Sequence, residues 1–175
     1  IRNCGSIMSY TYSKIATVTL SAASSSIDFL AIPQNYTDLV ISYSIRGANA
    51  SVVDGIYLRF NSDLTTANYS NRRIYGSGAS AVSDTSTAPM FYNGSSSTSN
   101  IFTNANIYIP NYTGSSYKSW SGDAAHENNA TTAYVTCVAG IWNNSSSINS
   151  IKLIPENNLF SQYSTATLYG IKAEL

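Results

Sequence analysis

Short runs of alternating apolar and polar residues constrain the fold of this chain more than any other feature. Successive side chains of a β-strand point to opposite faces, so alternation predicts a strand with one buried face. No segment keeps the helical period over three turns. We count nine to eleven short runs with Ser-, Asn-, Gly- or Pro-containing turns between them, and the clearest are residues 39–46, 55–60, 101–109 and 133–141. The sequence therefore predicts an all-β fold, an antiparallel β-sandwich.

The strand count and the length of 175 residues favour jelly-roll topology in a single domain, long enough to bury a core without disulfides. We assign residues 14–175 to this domain and residues 1–13 to an N-terminal arm. Locally, Asp54-Gly55 is typical of a turn between two strands. Residues 76–86 and 94–100 are predicted to be exposed loops, and residues 123–128 a short helical turn.

The low fraction of charged residues argues against some classes of binding partner. Only 10% of residues are charged, nine basic residues balance nine acidic ones, and polarity comes from 30 Ser, 18 Asn and 16 Thr. Without a basic run there is no electrostatic footprint for nucleic acid. Since no apolar run approaches the roughly 18 residues that span a bilayer, we expect neither nucleic-acid binding nor membrane insertion.

Cysteine and histidine are too scarce for a metal centre. Two Cys and one His supply fewer ligands than a structural metal site requires, and we expect no cofactor. Cys137 lies inside an apolar run and is predicted to be a small buried strand residue. The segment Asn61-Ser62-Asp63 offers oxygen ligands for a cation, but its spacing matches no known calcium loop. We therefore favour the interpretation that this segment forms a turn.

The single histidine has acidic neighbours, since His126 follows Asp123 and precedes Glu127. One imidazole and two carboxylates are groups that can perform general acid-base catalysis. Nucleophilic catalysis also needs an orienting group and an oxyanion hole, and no Gly-x-Ser-x-Gly elbow is present. We therefore expect no enzymatic activity and predict that His126 lies in an exposed loop or interface, with a pH-sensitive contact as the alternative.

Tyrosine is the most abundant aromatic residue, with 14 Tyr against 5 Phe and 2 Trp. Tyrosine gives contact area and keeps a hydroxyl for recognition, so exposed tyrosines suit sugar rings or a subunit interface. The alternative is core packing, which we expect for Tyr43 by its phase in residues 39–46. For Trp120 and Trp142 we expect core or edge packing.

Several segments together are similar to a domain frequent in the virion proteins of tailed phages, especially marine and cyanobacterial phages. The resemblance covers roughly residues 14–172. It is carried by IPQNYTDLV at 32–40, LRFN at 58–61, NYS at 68–70, YG at 75–76, IYIPNY at 107–112, ENNA at 127–130, AGIW at 139–142 and the ending at 163–172.

The resemblance implies a β-sandwich module on the virion surface, in tail fibres or in small capsid and appendage proteins, commonly as a homotrimer. It supplies no catalytic motif. We expect a capsid decoration protein that binds other virion proteins. Its arm supplies the candidate interface residues, which are Ile1, Arg2, Ile7, Tyr10 and Tyr12.

Three alternatives stay open. The first is a tail-fibre or tail-appendage module that recognises host cell-surface glycan through Tyr and Asn side chains on loops. The second is a carbohydrate-binding module of a secreted enzyme. The third is a depolymerase or glycosidase, which needs two facing carboxylates.

Overall fold

The described residues fold into two antiparallel β-sheets packed face to face, which confirms the predicted β-sandwich. The computed structural model describes residues 12–129 and 132–172. They form twelve strands and one 3-10 turn at Thr66–Asn68. The strands are β1 (Tyr12–Thr19), β2 (Ile27–Phe29), β3 (Asp38–Ile45), β4 (Val53–Phe60), β5 (Tyr69–Gly76), β6 (Ala81–Asp84), β7 (Met90–Asn93), β8 (Thr103–Ile109), β9 (Lys118–His126), β10 (Tyr134–Trp142), β11 (Ile151–Pro155) and β12 (Thr165–Ile171).

The two sheets differ in width. The larger has eight strands in the order β1-β12-β3-β8-β9-β10-β5-β6, and the smaller has four in the order β2-β11-β4-β7. A jelly roll is built from eight strands in two Greek keys. The eight-plus-four division therefore does not confirm the predicted jelly-roll topology.

The core lies between the sheets and is built by the alternation read from the sequence. Every second residue of the central strands is buried, and its neighbours face the other side. Tyr43, Trp120 and Trp142 are buried as predicted. The largest fully buried side chains include Trp142, Tyr92, Tyr112, Phe60, Phe160, Leu39, Ile41 and Ile45.

The predicted Asp54-Gly55 turn was wrong, because both residues lie inside β4. The carboxylate of Asp54 is buried and accepts hydrogen bonds from the Tyr92 hydroxyl at 2.9 Å and the Asn157 amide at 2.9 Å. These partners satisfy a buried carboxylate that the turn prediction had placed in solvent.

Two more local predictions were wrong because both segments contain residues that pair with neighbouring strands, which their local amino-acid composition did not indicate. Part of the predicted 76–86 loop forms β6, which pairs with β5 and is held by the Arg73–Asp84 ion pair at 2.5 Å. The predicted helical turn at 123–128 is instead the end of β9, which is hydrogen-bonded to β8 and β10. Residues 94–100 lie outside the strands, as predicted.

The 94–100 loop is anchored by a buried cation. The Arg46 guanidinium donates to the carbonyls of Ser95, Ser97, Thr98 and Ile101 at 2.8–3.2 Å and to the Ser97 hydroxyl at 3.1 Å. Arginine suits this task because its donors form a fixed planar fork. A polar, Ser-rich loop is thereby tied to the end of β3.

Replacing Gly140 tests how tightly β10 packs on the core. A Cβ at this position would lie 2.1 Å from Cε2 of Trp120. We expect G140A to lower the free energy of unfolding by about 1–3 kcal/mol because of this clash, measured by urea denaturation. The control is G76A, whose Cβ would meet only the Ser80 carbonyl at 3.6 Å. Equal stability of the two variants would contradict the packing of Trp120 on β10.

Candidate functional site: the outer face of the eight-stranded sheet

The outer face of the larger sheet is an open surface formed by eight strands of the described residues. Outward side chains on its central strands β8, β9 and β10 are exposed, whereas their inward neighbours are mostly buried. The smaller sheet covers only the inner face. Two adjoining features occupy the outer face, and each extends towards one end.

An apolar stripe lies towards the β10–β5 end of this face. We use this name for Val135, Cys137, Ala139 and Ile141 on β10 together with Ile74 on β5, which is paired with Cys137. Val135 is 66% exposed, and Ile74 and Ile141 are also exposed. Contiguous exposed apolar surface of this kind marks interaction sites on soluble proteins.

The predicted burial of Cys137 was wrong, since Cys137 is exposed on this stripe. Both phases of β10 are largely apolar or small, so alternation alone did not say which one faces inward. The core takes the phase that contains Val138, Gly140 and Trp142, because Trp142 packs against Phe60 at a ring-centroid distance of 5.5 Å. The large indole decides the orientation through the area that it buries.

A tyrosine concavity occupies the same face from β1 to the edge of the stripe on β10. We use this name for a depression of about 690 Å³ lined by, among others, Tyr12, Tyr108 and Tyr169 with Asn106 and Asp123. The rings of Tyr12 and Tyr169 meet edge to face, with centroids 6.2 Å apart. Three tyrosines from three different strands therefore converge on one open depression.

Hydrogen bonds orient part of this concavity and leave other groups open. The Tyr108 hydroxyl donates to a carboxylate oxygen of Asp38 at 2.8 Å, and this bond raises the pKa of Tyr108. Asn106 and Asp123 are cross-strand neighbours. Their side chains are exposed and make no hydrogen bond to any residue that the structure describes. They are available to a ligand.

Charges flank the stripe on both sides. Arg72 on β5 is the cross-strand neighbour of Ala139, and Asp123 on β9 is the cross-strand neighbour of Cys137. Both charged residues are exposed, and neither forms an ion pair within the described part of the chain. The stripe therefore runs between one cation and one anion.

Of the predicted interface residues, only Tyr12 falls within the described structure. Ile1, Arg2, Ile7 and Tyr10 lie outside the described residues. Tyr12 is the first residue of β1, is paired with Ile171 and is 55% exposed. Strand β1 thus begins two residues before the predicted domain start at residue 14, and Tyr12 stands at the rim of the tyrosine concavity.

The prediction that His126 is exposed was wrong, because His126 is fully buried on the inner side of β9. Its ring stacks on Tyr134, and its Nε2 lies 3.4 Å from the Val52 carbonyl oxygen. Asp123 lies on the outer face, and Glu127 accepts bonds from the amides of Asn128 and Asn129. Alternation along β9 therefore places Asp123 and His126 on opposite faces of the sheet.

Other carboxylates are occupied by structural bonds. Asp63 accepts from Nε1 of Trp142 and Nδ2 of Asn68, both at 2.8 Å, and from the Thr65 amide. Although burial opposes it, these bonds lower the pKa of Asp63 to about 2. This favours the turn interpretation over the cation site. Within residues 12–129 and 132–172, no group of three or more His, Cys, Asp or Glu is placed to hold a metal ion.

Glu156 lies near Asp54, and burial, followed by repulsion from Asp54, raises the pKa of Glu156. The oxygens of Asp54 already accept bonds from Tyr92 and Asn157. The arrangement leaves Asp54 engaged in holding β4, β7 and the loop after β11 together.

Comparison with known proteins identifies no relative: no family model, curated protein or solved structure matches this chain. In the portion that the structure describes, no helix has the length and hydropathy needed to cross a membrane.

The sequence contains one signal for the tyrosine concavity, which is the phase of two tyrosines in their strands. Tyr108 alternates with Ile107 and Ile109, and Tyr169 follows Leu168, so both were out of phase with the core. That signal places each tyrosine on an outer face. It does not show that they meet, because β8 and β12 are neighbours of β3 and not of each other.

The buried imidazole predicts a pH dependence of stability. Burial lowers the pKa of His126 from its ordinary value, so the unfolded chain takes up the proton more readily than the folded chain. The contribution of His126 to the free energy of unfolding is then fully present above a pH of about 6.5 and is lost as the pH falls below that value. Because this chain has one His, we expect H126Q to flatten the slope between pH 7 and 5 in urea denaturation. The control K14Q removes the charge of an exposed side chain and should keep the wild-type slope, and equal slopes in all three proteins would contradict burial of His126.

Proposed function

We propose that this protein is a non-enzymatic structural protein of a bacteriophage virion, a capsid decoration protein that acts through protein-protein contact. The virion assignment rests on the sequence resemblance along residues 14–172. The assembly role rests on one observation, the exposed apolar stripe on β10 and β5. The separation of Asp123 from the buried His126 on opposite faces of the sheet supports a function without acid-base catalysis.

The stripe suits a second copy of the same chain as its partner. Its apolar side chains favour burial against another surface at roughly 25 cal/mol per Å². Its flanking charges are of opposite sign, so Arg72 of one copy has a complementary partner in Asp123 of another. Complementary charges at the border of an apolar patch give an interface its register. A homotrimer, which the sequence resemblance implies, uses such a patch at each of its three contacts.

A tail-fibre or tail-appendage module that recognises host cell-surface glycan is the second candidate. The tyrosine concavity is the specific observation that favours it, because aromatic and amide side chains converge there. Both candidates place the protein on the virion surface, and they differ in its position and partner.

Substitutions in the stripe test the self-association. We expect the wild-type protein to sediment as a trimer and the V135D/I141D variant as a monomer, because a buried unpaired carboxylate opposes assembly. The matched control is L64D, since Leu64 is 65% exposed but lies outside the eight-stranded sheet. Analytical ultracentrifugation with circular dichroism separates dissociation from unfolding.

Reversal of the charges at positions 72 and 123 is a second test of the self-association. R72D alone should weaken the trimer, and R72D/D123R should restore it, since the double variant re-forms the opposite-sign contact between copies. A wild-type protein that remains monomeric at all concentrations would overturn the self-association. Dissociation by L64D as complete as by V135D/I141D would overturn the role of the stripe.

The location of the protein in purified particles of the encoding phage tests the virion role. We expect cryo-electron microscopy to show this fold on the capsid lattice, with the apolar stripe covered. Density at the tail alone would support the second candidate instead. Particles that lack the protein by mass spectrometry would contradict the virion assignment.

A further inference from the structure

We propose that the tyrosine concavity binds a neutral oligosaccharide. This inference does not rest on the virion assignment, because it is argued from the side chains that line the concavity. The concavity and the stripe adjoin at Cys137 and Asp123. Tyr169 on β12 lies four strands from β10, which is about 19 Å at the usual strand spacing of about 4.8 Å. A contact on the β10–β5 end that engages Asp123 therefore leaves the three tyrosines open.

The size and openness of the concavity suit a short saccharide. Its volume of about 690 Å³ lies within the roughly 300–1,000 Å³ of small-ligand sites. Tyr12 and Tyr169 present aromatic surface at one side of it. The C–H faces of a sugar ring are apolar, and tyrosine offers a rigid amphipathic surface to them at low entropic cost.

The free polar groups match sugar hydroxyls. The Asn106 amide both donates and accepts, and the Asp123 carboxylate accepts from hydroxyl donors in charge-assisted bonds. Ser42 lies across from Asn106, and Ser121 lies across from Tyr108. None of these four polar side chains has a hydrogen-bond partner among residues 12–129 and 132–172. A ligand with several hydroxyls satisfies them without removing any internal bond.

Charge distinguishes a neutral saccharide from anionic ligands. Asp123 lines the concavity, and Asp38 accepts the hydroxyl of Tyr108, which also lines it. Two carboxylates disfavour phosphate, nucleotide and sialic-acid ligands through like-charge repulsion. The hydroxyl and amide groups in the lining likewise oppose a lipid chain, because burial of such groups without hydrogen-bond partners is costly.

Backbone pairing distinguishes a saccharide from a peptide. Extended peptides commonly add a strand to a free sheet edge. The concavity lies over β12, β3 and β8, and each of these strands is already paired on both sides. Recognition there depends on side chains alone, which favours a ligand rich in hydroxyl groups.

Binding is tested on the full chain with defined probes. Maltotriose, mannotriose and galactotriose are titrated by NMR or calorimetry, with sialyllactose as the anionic comparison. We expect at least one neutral trisaccharide to bind and sialyllactose to bind at least tenfold more weakly. Failure of all three neutral trisaccharides at 10 mM, about the weakest affinity that such titrations resolve, would overturn the inference.

Variants then locate the site. We expect Y12A and N106A each to weaken binding of the active trisaccharide about tenfold, the effect of losing one good contact. Y117A is the matched control, since Tyr117 is 64% exposed and does not line the concavity. Equal loss in Y117A, or wild-type binding in both Y12A and N106A, would overturn the assignment.

The oligomeric state of each variant is measured in parallel. A variant that loses trisaccharide binding while it keeps the oligomeric state of the wild type supports a glycan site in the concavity. Loss of binding only together with a change in oligomeric state would overturn it, because the concavity would then have no ligand-binding role of its own.

Discussion

The structure depends on the burial of one face of an eight-stranded sheet beneath a four-stranded sheet. Leu39, Ile41 and Ile45 on β3 are fully buried, and so are Phe60 and Leu153 on the opposing strands. This contact supplies most of the apolar burial in the described residues. Because strand side chains alternate, burial of one phase commits the other phase of each strand to the outside. The outer face is thus a consequence of how the core is packed.

Strand β10 shows how a single side chain settles that choice. Val135 to Ile141 is apolar in one phase, and Tyr134 to Trp142 is largely apolar or aromatic in the other. The core accepts Trp142, and the absence of a Cβ at Gly140 leaves room for Trp120. The smaller apolar residues are then displayed outward as the stripe. An interaction surface and a tightly packed core are therefore two faces of the same strand.

The strands could be read from the sequence with few errors, whereas the candidate site could not. Local alternation located β3, β4, β8 and β10, because pleating is a property of neighbouring residues. It failed for Asp54, whose burial depends on Tyr92 and Asn157 from distant parts of the chain. It also failed for His126, because a histidine between two acidic residues looks exposed until its strand is placed against the core.

The sequence by itself determined the all-β class, the near-neutral and hydroxyl-rich surface and the positions of most strands. These follow from composition and from a two-residue period. Only the tertiary structure decided that Cys137 faces outward, that His126 faces inward and that Tyr12, Tyr108 and Tyr169 meet in one concavity. The physical reason is that facing and convergence depend on strand order and on competition between two phases for the core, which involve residues far apart in the chain.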